Sequence, residues 1–225
     1  MVEVSHIQKK YGKKEVLKDI TFQVNSGEVA AIVGKNGCGK STLLQVLAGI
    51  LSADKGDVLY FGQSTKQNKK AYKEYCGYVP QENPLLEELS VYDNLQLWGA
   101  GGKLDEAIIK QFQLEDMLLM PVEKLSGGMK RRVSILCAIL HWPPILLLDE
   151  PTIALDIYHK ESIRDWMREY RKKKGIIIMA THDEKEIMEA DRCFIMKEGI
   201  LYEIQKGTCD MATIREHIVE SENII

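Results

Sequence analysis

Residues 34–41 read Gly34, Lys35, Asn36, Gly37, Cys38, Gly39, Lys40 and Ser41, which matches G-x-x-x-x-G-K-[ST] in full. The octet follows an apolar run at residues 29–33. It precedes residues 40–50, where Leu43, Leu44, Leu47 and Ile50 recur at helical spacing. Strand, glycine-rich loop and helix in that order restrict the fold to an α/β sheet whose ligand sits at the carboxyl ends of the strands. The glycines let successive backbone N–H groups turn inward on phosphate oxygens, and the helix N-terminus adds its positive dipole end. In that arrangement Lys40 reaches the β and γ phosphates, the Ser41 hydroxyl serves Mg²⁺, and Thr42 is placed for the α phosphate. Cys38 fills a free position of the loop. It is either a small tolerated side chain or a thiol whose pKa Lys40 and the helix end depress.

The remaining text extends this α/β reading. Residues 2–24 alternate as strands, with a turn at Asn25-Ser26-Gly27, so an antiparallel patch precedes the main sheet. Residues 56–61 return to strand. A composition shift over 82–142 carries helix signals at Ser90 with Asp93, at 105–112, and after Ser126, with residues 99–102 as a separator. This segment reads as a small helical insertion and not as an independent domain. The runs 145–148 and 176–180 are continuously apolar, as in parallel strands covered on both faces. Between them lies a helix with the stripe Ile163, Trp166, Met167 and Tyr170; its basic end, 171–174, is stopped by Gly175. A hairpin around Glu198-Gly199 and a short amphipathic tail complete the chain.

Two carboxylates, Asp149 and Glu150, stand at the end of the buried run 145–148, where ligands of such sheets bind. Asp149 can serve the metal on the phosphates, and Glu150 is the candidate general base for an attacking water. His182 ends the run 176–180 in the same way and contacts phosphate or water, while Asp183 caps the next helix. Ser126-Gly127-Gly128 opens a helix with an N-cap hydroxyl, then two glycines and the cations Lys130, Arg131 and Arg132, all poor local choices. Such violations point to function, and by itself the segment is either an ordinary loop or a second anion site made of bare backbone N–H groups. Gln81 reads by composition alone as a polar loop residue.

Bulk properties exclude several classes. A net charge of −3 gives no electrostatic case for nucleic acid. The five cysteines, Cys38, Cys76, Cys137, Cys193 and Cys209, form no C-x-x-C pair, which argues against a zinc ribbon or a disulfide framework and fits a reducing cytosol. No apolar run approaches the roughly 20 residues that cross a bilayer, and residues 1–10 lack the apolar stretch of a signal peptide.

Taken in order, these segments resemble the nucleotide-binding domain of ABC transporters over nearly the whole chain. GKNGCGKST is similar to Walker A, LSGGM to the family's signature, ILLLDE to Walker B, and residues 154–156 to the loop across the dimer interface. Gln81 matches the Q-loop and His182 the switch histidine, and Tyr11 matches the aromatic that stacks on adenine. The resemblance implies a P-loop NTPase core with a mostly parallel sheet, an N-terminal antiparallel β patch and a small helical insertion. One domain then spans 1–225, with a RecA-like core over about 1–81 and 143–225 and the insertion over about 82–142. It further implies ATP and Mg²⁺ as ligands, with Ser41, Asp149 and Gln81 near the metal and Glu150, His182, Gln81 and Lys40 in hydrolysis. The partners it implies are a second ABC ATPase subunit, whose Ser126, Gly127 and Gly128 close head-to-tail over the nucleotide, and an integral membrane permease. The chain is then cytoplasmic and peripheral on the inner face of the membrane. One departure is Met129, where the family's signature usually ends in Gln; any contact of that amide is expected to be lost. The form LSGGMKRR, with a short helical insertion, is similar to drug and antibiotic exporters with separate permease chains. The rival expectation is a soluble ABC ATPase for assembly or remodelling. Chromosome-maintenance relatives need a long coiled coil and translation factors need two such domains, neither of which fits 225 residues.

Overall fold

The computed structural model describes residues 1–99, 104–204 and 214. In chain order the elements are β1 (Val2–Tyr11), β2 (Lys14–Val24), β3 (Val29–Val33), α1 (Lys40–Leu47), β4 (Lys55–Tyr60), β5 (Gln63–Ser64), α2 (Lys70–Tyr75) and β6 (Cys76–Val79). There follow α3 (Val91–Trp98), α4 (Glu106–Gln111), α5 (Gly127–Ile139), β7 (Ile145–Asp149), α6 (Ile157–Lys172), β8 (Ile176–Ala180), α7 (Glu184–Glu189), β9 (Arg192–Lys197) and β10 (Ile200–Ile204).

The strands form two sheets. The alternating text of β1 and β2 pairs antiparallel, and β4 and β5 extend that sheet in the order β2-β1-β4-β5. The second sheet runs β10-β9-β3-β8-β7-β6 and is parallel except for β10, which joins β9 as the expected hairpin.

Period-two alternation in the parallel strands feeds two cores. Along β7, Ile145 and Leu147 pack with α1 and the antiparallel sheet, whereas Leu146 and Leu148 pack with side chains of α3, α4, α5 and α6. Because both faces are covered, the strands are apolar at every position, which is why their text showed no polar alternation. The fully buried Trp166 and Phe112 meet edge to face in the helical core at a centroid distance of 5.9 Å.

Local chemistry sets the helix starts. The Ser90 side chain accepts from the Asp93 N–H, Asp105 from Ala107, Asp156 from His159, and Asp183 from Lys185 and Glu186. The ends differ more from expectation. α1 stops at Leu47, short of Ile50, because the chain turns at Gly49 with φ 71°. At the end of α6 it is Lys174 that takes the left-handed conformation, φ 68°, not Gly175. Gly175 is required for another reason: a Cβ there would stand 2.2 Å from a carbon of the buried Tyr170 ring. Tyr170 is pinned in turn by its hydroxyl, which donates to the Pro143 carbonyl. Gly175→Ala is therefore expected to cost about 1–3 kcal/mol by overpacking, read as a lower urea midpoint at unchanged slope.

α2 and β6 were not anticipated. The strand expected over 56–61 ends at Tyr60 and belongs to the antiparallel sheet. Residues 100–102 of the expected separator, the amphipathic tail beyond Ile204 apart from Ile214, and Cys209 lie outside the described residues. Among the described residues no helix is long and apolar enough to cross a membrane.

Candidate active site

The loop from β3 to α1 curls so tightly that only glycine fits at its ends. A Cβ on Gly34 would stand 2.3 Å from the Met196 carbonyl oxygen, and Gly39, the N-cap of α1, has φ 116°. Lys40 is buried, and its Nζ donates to the Gly34 and Lys35 carbonyls at 2.7 and 3.2 Å, folded back along the loop.

Adjacent strands bring the other groups to this loop. β8 lies between β3 and β7, so the ends of three neighbouring strands carry the loop, Asp149-Glu150 and His182. Together they line an open cleft of about 1220 Å³ that includes Asn36, Gly37, Gly39, Lys40, Ser41, Thr42, Gln81, Asp149, Glu150 and His182.

The electrostatics follow from burial. Asp149 is held above its ordinary pKa by burial, against the pull of a Ser41 hydrogen bond and of the Lys40 and Arg131 charges. Burial raises Glu150 further, to about 6, despite Lys40. His182 is lowered, first by burial and then by Lys40, so it is neutral at pH 7. Its Nε2 lies 3.3 Å from Glu150 Oε1. A hydroxyl and a carboxylate in mutual contact, Ser41 with Asp149, are hard oxygen donors of the kind Mg²⁺ takes alongside phosphate oxygens, so the residues fit that ion.

Several expected residues sit elsewhere. Tyr11 ends β1, 49% exposed, and is not among the cleft-lining residues, although Val16 is. Ser126, Gly127 and Gly128 are likewise absent from the chain's own cleft. A Cβ on Gly127 would meet nothing within 4 Å, whereas Gly128 packs against the Ala154 carbonyl and the Leu155 side chain. The Ser126 hydroxyl accepts from Met129 N–H at 3.3 Å, and the Met129 sulfur accepts from Ser126 N–H at 3.4 Å. The thioether thus stands, as a weak acceptor, in the reciprocal cap of this helix start.

Cys38 also departs from one of its two expected readings. Burial raises its thiol pKa and outweighs Lys40, so the loop does not activate it.

The cations after Gly128 were read as unfavourable for the helix start, and the structure sends each away from it. Lys130 pairs with Glu87 at 2.5 Å. Arg132 donates to the Phe112 and Gln113 carbonyls at 2.8 and 3.2 Å, capping the end of α4. Arg131 turns inward beneath the cleft, which no sequence signal anticipated. Also unanticipated are Lys160 and Arg164, which line the cleft and pair with Asp183 at 2.9 and 2.7 Å.

Residues 17–153 match the family model described as ABC transporter. The spermidine/putrescine import ATP-binding protein PotA of Bacteroides thetaiotaomicron is 35% identical over 91% of this chain, which spans 46% of that relative. The sulfate/thiosulfate import ATP-binding protein CysA of Pseudomonas aeruginosa is 32% identical over 90% of the chain and 66% of the relative. The linearmycin resistance ATP-binding protein LnrL of Bacillus subtilis is 30% identical over 92% of the chain and 70% of the relative. The chain thus spans about half to two thirds of the length of these curated relatives. Among solved structures, an ATP-binding subunit of an ABC transporter superposes with TM-score 0.87 at 26% identity, covering 97% of this chain and 99% of that one. The dimeric, post-hydrolysis ATP-binding cassette MJ0796 bound to ADP and Pi superposes with TM-score 0.84, also at 26% identity, over 92% and 99%. With motif, cleft and relatives in agreement, the chain belongs to the ABC transporter family, as one of its ATP-binding domains.

Proposed function

We propose that this chain binds and hydrolyses ATP to drive export through a separate membrane permease, acting as a pair of ABC ATPase subunits. What supports the hydrolytic part is the convergence of Lys40, Ser41, Asp149, Glu150 and His182 on one cleft. In this reading the 34–41 loop holds the phosphates, Lys40 leaves its carbonyl partners for the β and γ phosphates, and Thr42 faces the α phosphate. Tyr11, with Val16 at the cleft wall, receives the adenine. Ser41, Asp149 and Gln81 hold Mg²⁺, which when bound neutralises phosphate charge. Glu150 takes a proton from water as the water oxygen bonds the γ phosphorus and the bond to the β-phosphate oxygen breaks, releasing ADP. Neutral His182 orients that water and the γ phosphate.

The anion site at Ser126, Gly127 and Gly128 lies outside the chain's own cleft, which favours its use by the nucleotide of a second subunit, head-to-tail. In this reading 1–225 is one ATPase domain, with residues 82–142 as a helical insertion that docks, together with Gln81, on the permease. The chain then works from the cytoplasmic face of the membrane. Export, as against import, is supported by the form LSGGMKRR and by the likeness to a resistance protein; two similar relatives carry import names.

Affinity isolation of the chain from membranes is the test: a polytopic membrane protein is expected to co-purify in stoichiometric amount. Pairing with soluble proteins alone would instead support the assembly-factor reading. In inside-out vesicles of the purified pair, ATP-dependent uptake corresponds to export from the cell, and its absence with uptake in right-side-out vesicles would reverse the direction.

A further inference from the structure

Arg131, in the first turns of α5, is 1% exposed. A buried cation normally takes a carboxylate partner, yet among the described residues Arg131 forms no ion pair and spends its donors on main-chain carbonyls. Nε donates to Pro151 O at 3.1 Å, and Nη2 donates to Asp149 O and to Glu150 O, the latter at 2.8 Å. Nη1 donates to Pro80 O and to Gln81 O, the latter at 3.4 Å. One planar fork therefore joins the segments that follow two neighbouring strands, β6 and β7, to the helix that starts at the exposed anion site.

The backbone at the far side of the fork is unusual. Glu150 has φ 51°, a left-handed conformation rarely taken by glutamate. That turn points the carbonyls of Asp149, Glu150 and Pro151 at a single point, the guanidinium, while Glu150 N–H is held by Ala180 O at 2.8 Å. Three successive carbonyls facing one another repel; a charge among them removes the repulsion. Burial lowers the Arg131 pKa only to about 10, so it is charged at neutral pH.

We propose that Arg131 is a positioning residue for hydrolysis, holding the left-handed backbone of Glu150 and the carbonyl of Gln81 in register with the anion-binding end of α5. The proposal rests on the hydrolytic reading above. It makes the carboxylate of Glu150 sensitive to α5 with no contact between Arg131 and nucleotide. A lysine keeps the charge but cannot span both strand ends, and a glutamine keeps donors for one of them without charge.

The test is single-turnover ATP hydrolysis by Arg131→Gln and Arg131→Lys, each made in the wild-type and in the Glu150→Gln backgrounds, with nucleotide affinity and thermal midpoint measured alongside. The expected result is a rate lowered at least tenfold in the wild-type background, less than twofold in the Glu150→Gln background, and ATP affinity within about threefold throughout. Equal losses in the two backgrounds, or a rate unchanged by either substitution, would overturn the proposal. If Arg131→Gln does not fold, Arg131→Lys decides; failure of both to fold assigns Arg131 to stability alone and overturns it too. A wild-type chain without ATP turnover sinks the hydrolytic reading and this one together, whereas normal wild-type turnover with undiminished Arg131 variants sinks only this one.

Discussion

Glu150→Gln lowers ATP turnover by roughly 10² to 10⁴ and leaves ATP affinity within about twofold. The side chain keeps its size and its place at the end of β7, so the phosphate loop is untouched. What the proposed base loses is the ability to take a proton from water. The wild-type rate carries a second signature of the same group. Burial raises the Glu150 pKa to about 6, and a general base works only when deprotonated. Turnover therefore approaches its plateau about one unit above pH 6, is halved near pH 6 and falls about tenfold per unit below about pH 5, provided ATP stays bound, and the variant's residual rate lacks this limb. Rapid-quench hydrolysis between pH 5 and 8 reads both. Near-wild-type turnover of Glu150→Gln removes the carboxylate from the role of base, whatever the pH profile.

Gly127→Asp is expected to reduce turnover at least 10²-fold while the isolated chain binds ATP as before. An added carboxylate in the first turn of α5 favours the helix by about 0.3–1 kcal/mol, and nothing lies within 4 Å of the new Cβ, so folding is not at risk. The loss would come from charge. In the proposed head-to-tail pair, a carboxylate at this helix N-terminus cancels the positive end that the second subunit's γ phosphate would meet. The prediction has a sharper form with two proteins. Lys40→Ala removes a phosphate contact and leaves Ser126-Gly127-Gly128 intact; Gly127→Asp does the reverse. Each alone is inactive, and mixing them restores one complete site per mixed pair. Mixtures no more active than their components would show that the two segments do not meet across subunits.

How much of this was legible in the text depends on how local each determinant is. The shape of the 34–41 segment, a glycine loop between strand and helix, was legible because its glycines, lysine and hydroxyl are fixed by spacing within one short stretch. Asp149 and His182 were placed at strand ends by the apolar runs before them, but the 3.3 Å contact of His182 with Glu150 depends on β7 and β8 being sheet neighbours, which spacing does not encode. α2 has six residues, KAYKEY, with only Ala71 buried, and β6 has four; neither is long enough to show a period. Cys38 has a lysine and a helix start beside it in sequence, yet burial sets its pKa, and burial is a property of the packed loop. Arg131 was the largest omission. Its acceptors lie 18 to 51 residues away, so a helix-local argument could only count it as a misplaced charge.

The two-core alternation along β7 has a consequence for how errors in this chain are punished. Residues 146, 147 and 148 are all leucine, so sliding the strand by one position would fill both cores nearly as well as before. The same slip would turn Asp149, the last residue of β7, to the opposite face of the sheet and move the left-handed turn at Glu150 off its place, because neighbouring side chains on a strand point oppositely. Hydrophobic identity is therefore a poor guardian of phase here. The ladders on either side, β6 against residues 145–148 and β8 against 145–149, must keep the count instead. A single-residue insertion in β7 would yield a chain that is folded, still carries its phosphate loop, and is chemically silent.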